Sequence, residues 1–230
     1  MYFDPMYFVF ALPGLLLALY ATFKTKTTFA RYSRVASSYG MTGAQAAERL
    51  LSRAGISNVA IEPVSGFLSD HYDPISRKLR LSQGVYGSNS LAAVGVACHE
   101  AGHAIQHARG FAFMHVRTLL VPATSISSWL SYPILALGMI LNSFGLIWAG
   151  IILFSASVLF ALVTLPVEWD ASARAKRLMV EADIVPSSEA RDAGAVLNAA
   201  FLTYVAAAVS ALLTLLYYLM RAGLLGGRRR

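Results

Sequence analysis

Hydrophobic and polar positions are spread unevenly along this chain. Between Thr118 and Val167 there is no Asp, Glu, Lys, Arg or His, a run far longer than the ~20 residues one helix needs to cross a bilayer. Two passes must share it. The polar, flexible stretch LNSFG (Leu141 to Gly145) predicts the turn between them, with spans over about 119–141 and 144–165. Tyr7 to Phe23, YFVFALPGLLLALYATF, predicts a shorter span that tolerates Pro13, and Ala193 to Leu219 a longer, Ala-rich one. The first has no positively charged n-region and reads as a retained anchor rather than a cleaved leader. The pattern therefore predicts a mainly α, multi-pass membrane protein with about four transmembrane helices.

The polar segments follow a different rhythm. Thr42 with Gln45 forms a capping box ahead of AQAAERLLSRAG, an amphipathic helix that ends at Gly55. NVAIEPV and RKLRLS read as strands, the second with Leu79 and Leu81 on one face and Lys78, Arg80 and Ser82 on the other. SDHYDP reads as a turn-rich connection between them. In SNSLAAVGVACHEAGHAIQHARG, Ser88 to Ser90 offer N-caps and Gly110 a stop, which predicts a helix from Leu91 to Arg109. No repeat of fixed period and no low-complexity linker is present. The expected organisation is one membrane-embedded domain, 1–230, whose functional region is 24–117 plus 168–192.

Composition agrees. Of the 230 residues, 57% are hydrophobic and 13% charged, against roughly 45–50% and 25% in an ordinary soluble domain. The net charge of +7 needs no nucleic acid, because the positive residues mostly flank spans, where they meet anionic headgroups of membrane lipid. Lys24, Lys26, Arg31 and Arg34 follow the first span, and Arg174, Lys176, Arg177 and Arg191 follow the hairpin. The positive-inside rule places both blocks in the cytoplasm. A fourth crossing puts Arg221 and the arginine tail outside, against the rule; either the last segment does not fully cross or, as is favoured here, the larger blocks outvote it. Cys98 is the only cysteine, so an intrachain disulfide and a cysteine-rich metal site are excluded.

Within the predicted helix lies HEAGH, residues 99–103. Residues four apart on a helix are rotated by about 40° and separated by ~6 Å along the axis. His99 and His103 can therefore aim their imidazoles at one zinc ion. Glu100 is not needed as a ligand. It can take a proton from a water acidified by the metal and deliver it to a leaving amine, as in the H-E-x-x-H arrangement of zinc proteases.

A catalytic zinc takes three protein ligands and leaves a fourth position open. Glu168, in LPVEWDASARAK, follows the third span and is the leading candidate; Pro166 just before it is expected to break or kink the helix. The competing reading of Glu168 is a headgroup-level partner of Arg174 or Lys176. His107 and Asp170 are rival ligands. His107 stands some 12 Å along the axis from His99, too far to complete a site centred between His99 and His103, and reads as a packing or supporting residue. Asp170 would face the opposite side of a helix from Glu168 and reads as half of a surface ion pair.

LSDHYDP, RLS, VYGSNSLAAVGVACHEAGHAIQHA and LPVEWDASARAK together resemble the neutral zinc metallopeptidases of bacterial membranes, the YugP-like group, over most of the chain. A helix motif followed after a membrane hairpin by a glutamate is more distantly similar to the HtpX-type peptidases. The resemblance implies a zincin-like catalytic region of gluzincin type on the membrane face. It also implies one Zn2+ held by His99, His103 and Glu168, Glu100 as general base, and a bacterial cell-membrane location. Where the HtpX-type pattern has an aspartate four residues after the glutamate, this chain has Ser172, so Ser172 or Asp170 is expected to orient a ligand histidine instead.

The implied function is a zinc endopeptidase acting on peptides or membrane proteins, with membrane-protein quality control suggested by analogy. His71, Tyr72, Tyr86 and Arg174 are candidates for holding the oxyanion. The strand at Lys78 to Ser82 is a candidate for pairing with an extended substrate. Two other readings compete: an intramembrane metalloprotease with both histidines inside a span, and a metal-binding membrane scaffold without catalysis.

Overall fold

The computed structural model describes residues 4–223; the arginine tail at 228–230 lies outside the described residues. In chain order the elements are α1 (Pro5–Tyr32), α2 (Gly43–Arg53), β1 (Ala60–Val64), β2 (His71–Asp73), β3 (Lys78–Ser82), α3 (Gln83–Tyr86), α4 (Leu91–Ala108), α5 (Ala112–Ile140), α6 (Phe144–Glu181) and α7 (Ser187–Arg221). The fold is mainly helical, as the hydropathy pattern predicts. Helices α1, α5, α6 and α7 are each long and apolar enough to cross a membrane.

These helices outrun the apolar stretches that mark them. Of the two effects expected at Pro166, a break does not occur: the residue lies inside α6. A proline removes one N–H and one intrahelical bond, a loss that membrane helices absorb. Beyond it, Val167, Ala171, Ala175 and Met179 are fully buried at a spacing of four residues, and that packed stripe holds the helix through to Glu181. The turn between α5 and α6 is formed by LNS, with Asn142 at φ 50°, a left-handed conformation that asparagine tolerates.

Two compact units divide the chain. The first takes in Met1–Tyr20, Val116–Leu165 and Thr203–Arg230. Within its described residues, Leu135, Ile151, Tyr217 and Tyr218 form a buried cluster. The Tyr217 hydroxyl donates to the Asp4 carboxylate at 3.0 Å. Ser127 donates to the Leu153 carbonyl, joining α5 to α6. Leu119, Trp129, Ile140 and Ile152 point outward, with Trp129 80% exposed. An apolar surface of this extent is at home in hydrocarbon rather than in water.

The second unit comprises Ala21–His115 and Pro166–Leu202. Helix α4 runs through its core, packed by α2, α3, β2 and β3. Its start is fixed by the Ser90 side chain, which accepts the Ala93 N–H. The preceding chain is pinned there by the Leu91 N–H, which donates to the Val35 carbonyl. The Thr42–Gln45 capping box forms as expected, and Ala46, Ala47, Leu50 and Leu51 of α2 are buried. Helix α4 is not among the four helices long and apolar enough to cross a membrane.

The sheet departs from expectation in two respects. His71–Asp73 is a strand, not a plain turn, and the order is β1-β3-β2, with β1 parallel and β2 antiparallel to β3. The hairpin between β2 and β3 is shaped by the Asp73 carboxylate, which accepts the Ile75 N–H and the Ser76 hydroxyl. Those bonds, led by the Ser76 hydroxyl, hold the Asp73 carboxyl down at about 2. Strand β3 is therefore central, with both edges paired, and has no free edge for a substrate strand. Leu79 and Leu81 face the core, and Ser82, expected on the outer face, is also buried and bound to Asp70.

Helix α4 reaches the backbones of α6 and α7 through two glycines. A Cβ on Gly102 would stand 2.8 Å from the Ala171 carbonyl oxygen, and one on Gly95 2.8 Å from that of Ala193. Backbone oxygens cannot swing aside. Gly102→Ala is therefore expected to lower stability by about 1–3 kcal/mol, the usual cost of overpacking, read as a fall in thermal midpoint in detergent. An unchanged midpoint would show that α4 and α6 have room to part.

Candidate metal centre

The histidines of HEAGH occupy one face of α4, and the close approach at Gly102 brings that face against α6. Glu168 projects from α6 two residues after Pro166 and is 1% exposed. His99 Nε2 lies 3.1 Å from Glu168 Oε2, and His103 Nε2 lies 3.5 Å from the same oxygen. The donor atoms of the three residues all fall within 4.8 Å of one another. Two ligands held about 2.0–2.1 Å from one tetrahedral zinc stand roughly 3.3–3.4 Å apart, and the two observed separations bracket that distance. The donor set, two imidazoles and one carboxylate, suits zinc.

Burial alone would raise the Glu168 carboxyl, but hydrogen bonds and charge from His103 and His99 outweigh it and hold the group well below the usual carboxylate range. Each imidazole is also held from behind. His99 Nδ1 meets the Ser172 hydroxyl at 3.2 Å, and His103 Nδ1 meets Gln106 Oε1 at 3.0 Å. Opposed nitrogens engaged in this way aim Nε2 of both rings toward Glu168.

Glu100 is buried at 8% exposure and is not one of the three converging donors. Among the described residues no group hydrogen-bonds its carboxylate. His107 does not join the cluster. Its Nδ1 shares a hydrogen bond of 2.9 Å with the Tyr72 hydroxyl. Burial, with the charges of His115 and Arg77, holds the His107 imidazole below its ordinary value, so it stays neutral.

The profile of the family described as "Putative neutral zinc metallopeptidase" matches residues 7–223. The chain belongs to that family. "Putative membrane protease YugP" of Bacillus subtilis (strain 168) is 46% identical to it over 217 residues, 94% of this chain and 96% of the relative. No solved structure matches the chain. With the four long apolar helices, these comparisons make it a membrane protein of a zinc metallopeptidase family.

The remaining candidates divide by contact. Asp170 is more than half of a surface ion pair: its Oδ2 receives Arg174 Nε and also the Gln106 amide at 2.8 Å. Ser172 stands against His99, where the HtpX-type pattern has an aspartate. Of the proposed oxyanion donors, His71 Nδ1 contacts the Ser69 carbonyl, Tyr72 is engaged by His107, and Tyr86 packs on the core. Arg174 is spent on Asp170 and lies over the Phe111 ring at 5.9 Å. Cys98, beside His99, is buried and its thiol is pushed up to about 12 by burial, an inert core residue. Sequence reasoning missed Gln106. Nothing in the motif marks it, although an amide one turn beyond a ligand histidine on a buried helix is a signal worth reading.

Proposed function

We propose that this chain is a zinc-dependent endopeptidase of the bacterial cell membrane in which His99, His103 and Glu168 hold one zinc ion and Glu100 is the general base. The observation that carries this reading is the convergence of the two Nε2 atoms on Glu168 Oε2 at 3.1 and 3.5 Å. The family and its membrane-protease relative support the reaction class. Zinc, when bound, supplies Lewis acidity toward the peptide carbonyl and toward water.

The chain's own groups supply the proton traffic. Glu100 takes a proton from the attacking water as oxygen adds to the carbonyl carbon. It then gives that proton to the departing nitrogen as the C–N bond breaks. Ser172 and Gln106 keep the imidazoles oriented, and the enclosure of α4 keeps bulk water from the buried side of the site. The α+β region formed by 24–117 and 168–192 serves as a zincin-like catalytic region. An extended peptide could pair at the free edge of β1 or β2, since β3 has none.

Chelation tests the reading. Purified protein in detergent should cleave an unfolded protein, lose that activity on removal of metal, and regain it with stoichiometric zinc. Activity that survives complete metal removal would reject the zinc mechanism. The basic residues that follow the first apolar stretch (Lys24, Lys26, Arg31 and Arg34) and the apolar part of α6 (Arg174, Lys176 and Arg177) support a cytoplasmic catalytic region. A cysteine introduced at Ser76 should then stay unlabelled by an impermeant reagent in intact cells and react once the membrane is opened. Labelling in intact cells would reverse the orientation.

A further inference from the structure

Gln106 is fully buried, and all three of its polar contacts are directional. Its Nε2 donates to the Val167 carbonyl and to Asp170 Oδ2, both at 2.8 Å. Both amide hydrogens are therefore consumed by atoms that can only accept. Turning the amide over would set its oxygen against that carbonyl and that carboxylate, with no hydrogen between them. With no exposed surface, no water can repair such a clash. The orientation has one solution, and it points Oε1 at His103 Nδ1, 3.0 Å away. An amide oxygen only accepts, so His103 Nδ1 must carry a hydrogen, and in the neutral ring Nε2 is then the lone pair facing Glu168.

The anchor extends outward. Asp170 is held by Arg174 one turn further along α6, and the Val167 carbonyl belongs to the turn of α6 that presents Glu168. The same helix thus carries one proposed metal ligand and the two acceptors that orient the amide behind another. Resting on the zinc reading above, we infer that Gln106, set by Val167 and Asp170, is a positioning residue that locks His103 in its Nδ1–H tautomer and so prepares Nε2 to bind the metal before any metal arrives.

The lock can be read in metal-free protein, where a failure of the zinc reading does not obscure it. With histidine labelled in 15N, and His103 assigned by its loss in His103→Asn, the tautomer is recorded at a pH high enough that the imidazole shifts no longer change. Wild-type protein should hold the proton on Nδ1. Gln106→Met removes the acceptor at similar volume and should move the proton to Nε2, where Glu168 accepts it. A bare Nδ1 in the wild type, or a tautomer unchanged in Gln106→Met, overturns the inference.

Zinc affinity is measured in parallel by competition with a chromophoric chelator. Gln106→Met should bind about 10–100-fold more weakly, the range for supporting partners of a ligand histidine, and equal affinity overturns the inference. Should Gln106→Met fail to fold, Asp170→Ala, at a partly exposed position, frees the amide to turn and should yield a mixture of tautomers with an intermediate loss of affinity. A single Nδ1–H form and full affinity in that variant would equally overturn it. If wild-type protein binds no zinc at all, the metal reading fails while the tautomer spectrum still decides the role of Gln106.

Discussion

Glu100→Gln should abolish peptide cleavage while zinc stays bound. The substitution keeps the shape of the side chain and its place on α4, and it removes the negative charge and with it the capacity to accept a proton. Because Glu100 is not among the three converging donors, metal content should remain that of the wild type. General acid–base catalysis contributes typically about 10^2- to 10^4-fold, so kcat should fall by at least that factor, or roughly 3–5 kcal/mol in the barrier. KM should change little, since no ground-state contact is lost. Turnover of a fluorogenic peptide and metal analysis of the same preparation give both halves of the result. Retained turnover would remove Glu100 from the mechanism. Loss of zinc along with turnover would make it a ligand. Unchanged behaviour of cells carrying Glu100→Gln in place of the wild type would favour the scaffold reading over the enzyme.

Much of this architecture was legible because a few signals are unambiguous. A run of fifty residues without a charged side chain or histidine, Thr118 to Val167, admits a hairpin of two long helices and little else. The start of α4 was readable from the serines at 88 and 90, of which Ser90 caps it. The pairing of His99 with His103 follows from helical geometry alone. Other features depend on contacts between distant segments, and no local pattern announces them.

Strand β2 is three residues between an aspartate and a proline, so its turn chemistry hides its pairing. The central place of β3 is set by which neighbours flank it, and its alternating face reads identically at an edge. Pro166 carries a strong local rule, overridden by the burial of Val167, Ala171, Ala175 and Met179. Gln106 and Gly102 sit inside or beside a motif whose fixed positions draw the eye. Their roles come from carbonyls of α6, those of Val167 and Ala171, more than sixty residues away in the chain. Ser172 and Asp170 were both reachable by offset from Glu168, but that Asp170 acts through the Gln106 amide was not.

Glu168→Ala should cost more zinc affinity than any change behind the imidazoles, and that ordering distinguishes a ligand from a supporting residue. Partners that orient a ligand from outside cost about 10–100-fold when removed. Glu168 is placed differently: its Oε2 is the one atom that both Nε2 atoms approach, at 3.1 and 3.5 Å. Its side chain is almost completely buried, at 1% exposure. Removing it deletes one of three donors together with the negative charge that offsets a divalent ion, so the loss should exceed the ~100-fold ceiling of an outer partner. Protein purified without added metal should then carry almost none. His99→Ala and His103→Ala should fall in the same class, with Gln106→Met and Asp170→Ala clearly below them. A Glu168→Ala protein that keeps stoichiometric zinc, or loses no more than the Gln106 variant, would move the third ligand elsewhere. The carboxylate would then be an acidic partner of two imidazoles rather than a clamp on a metal.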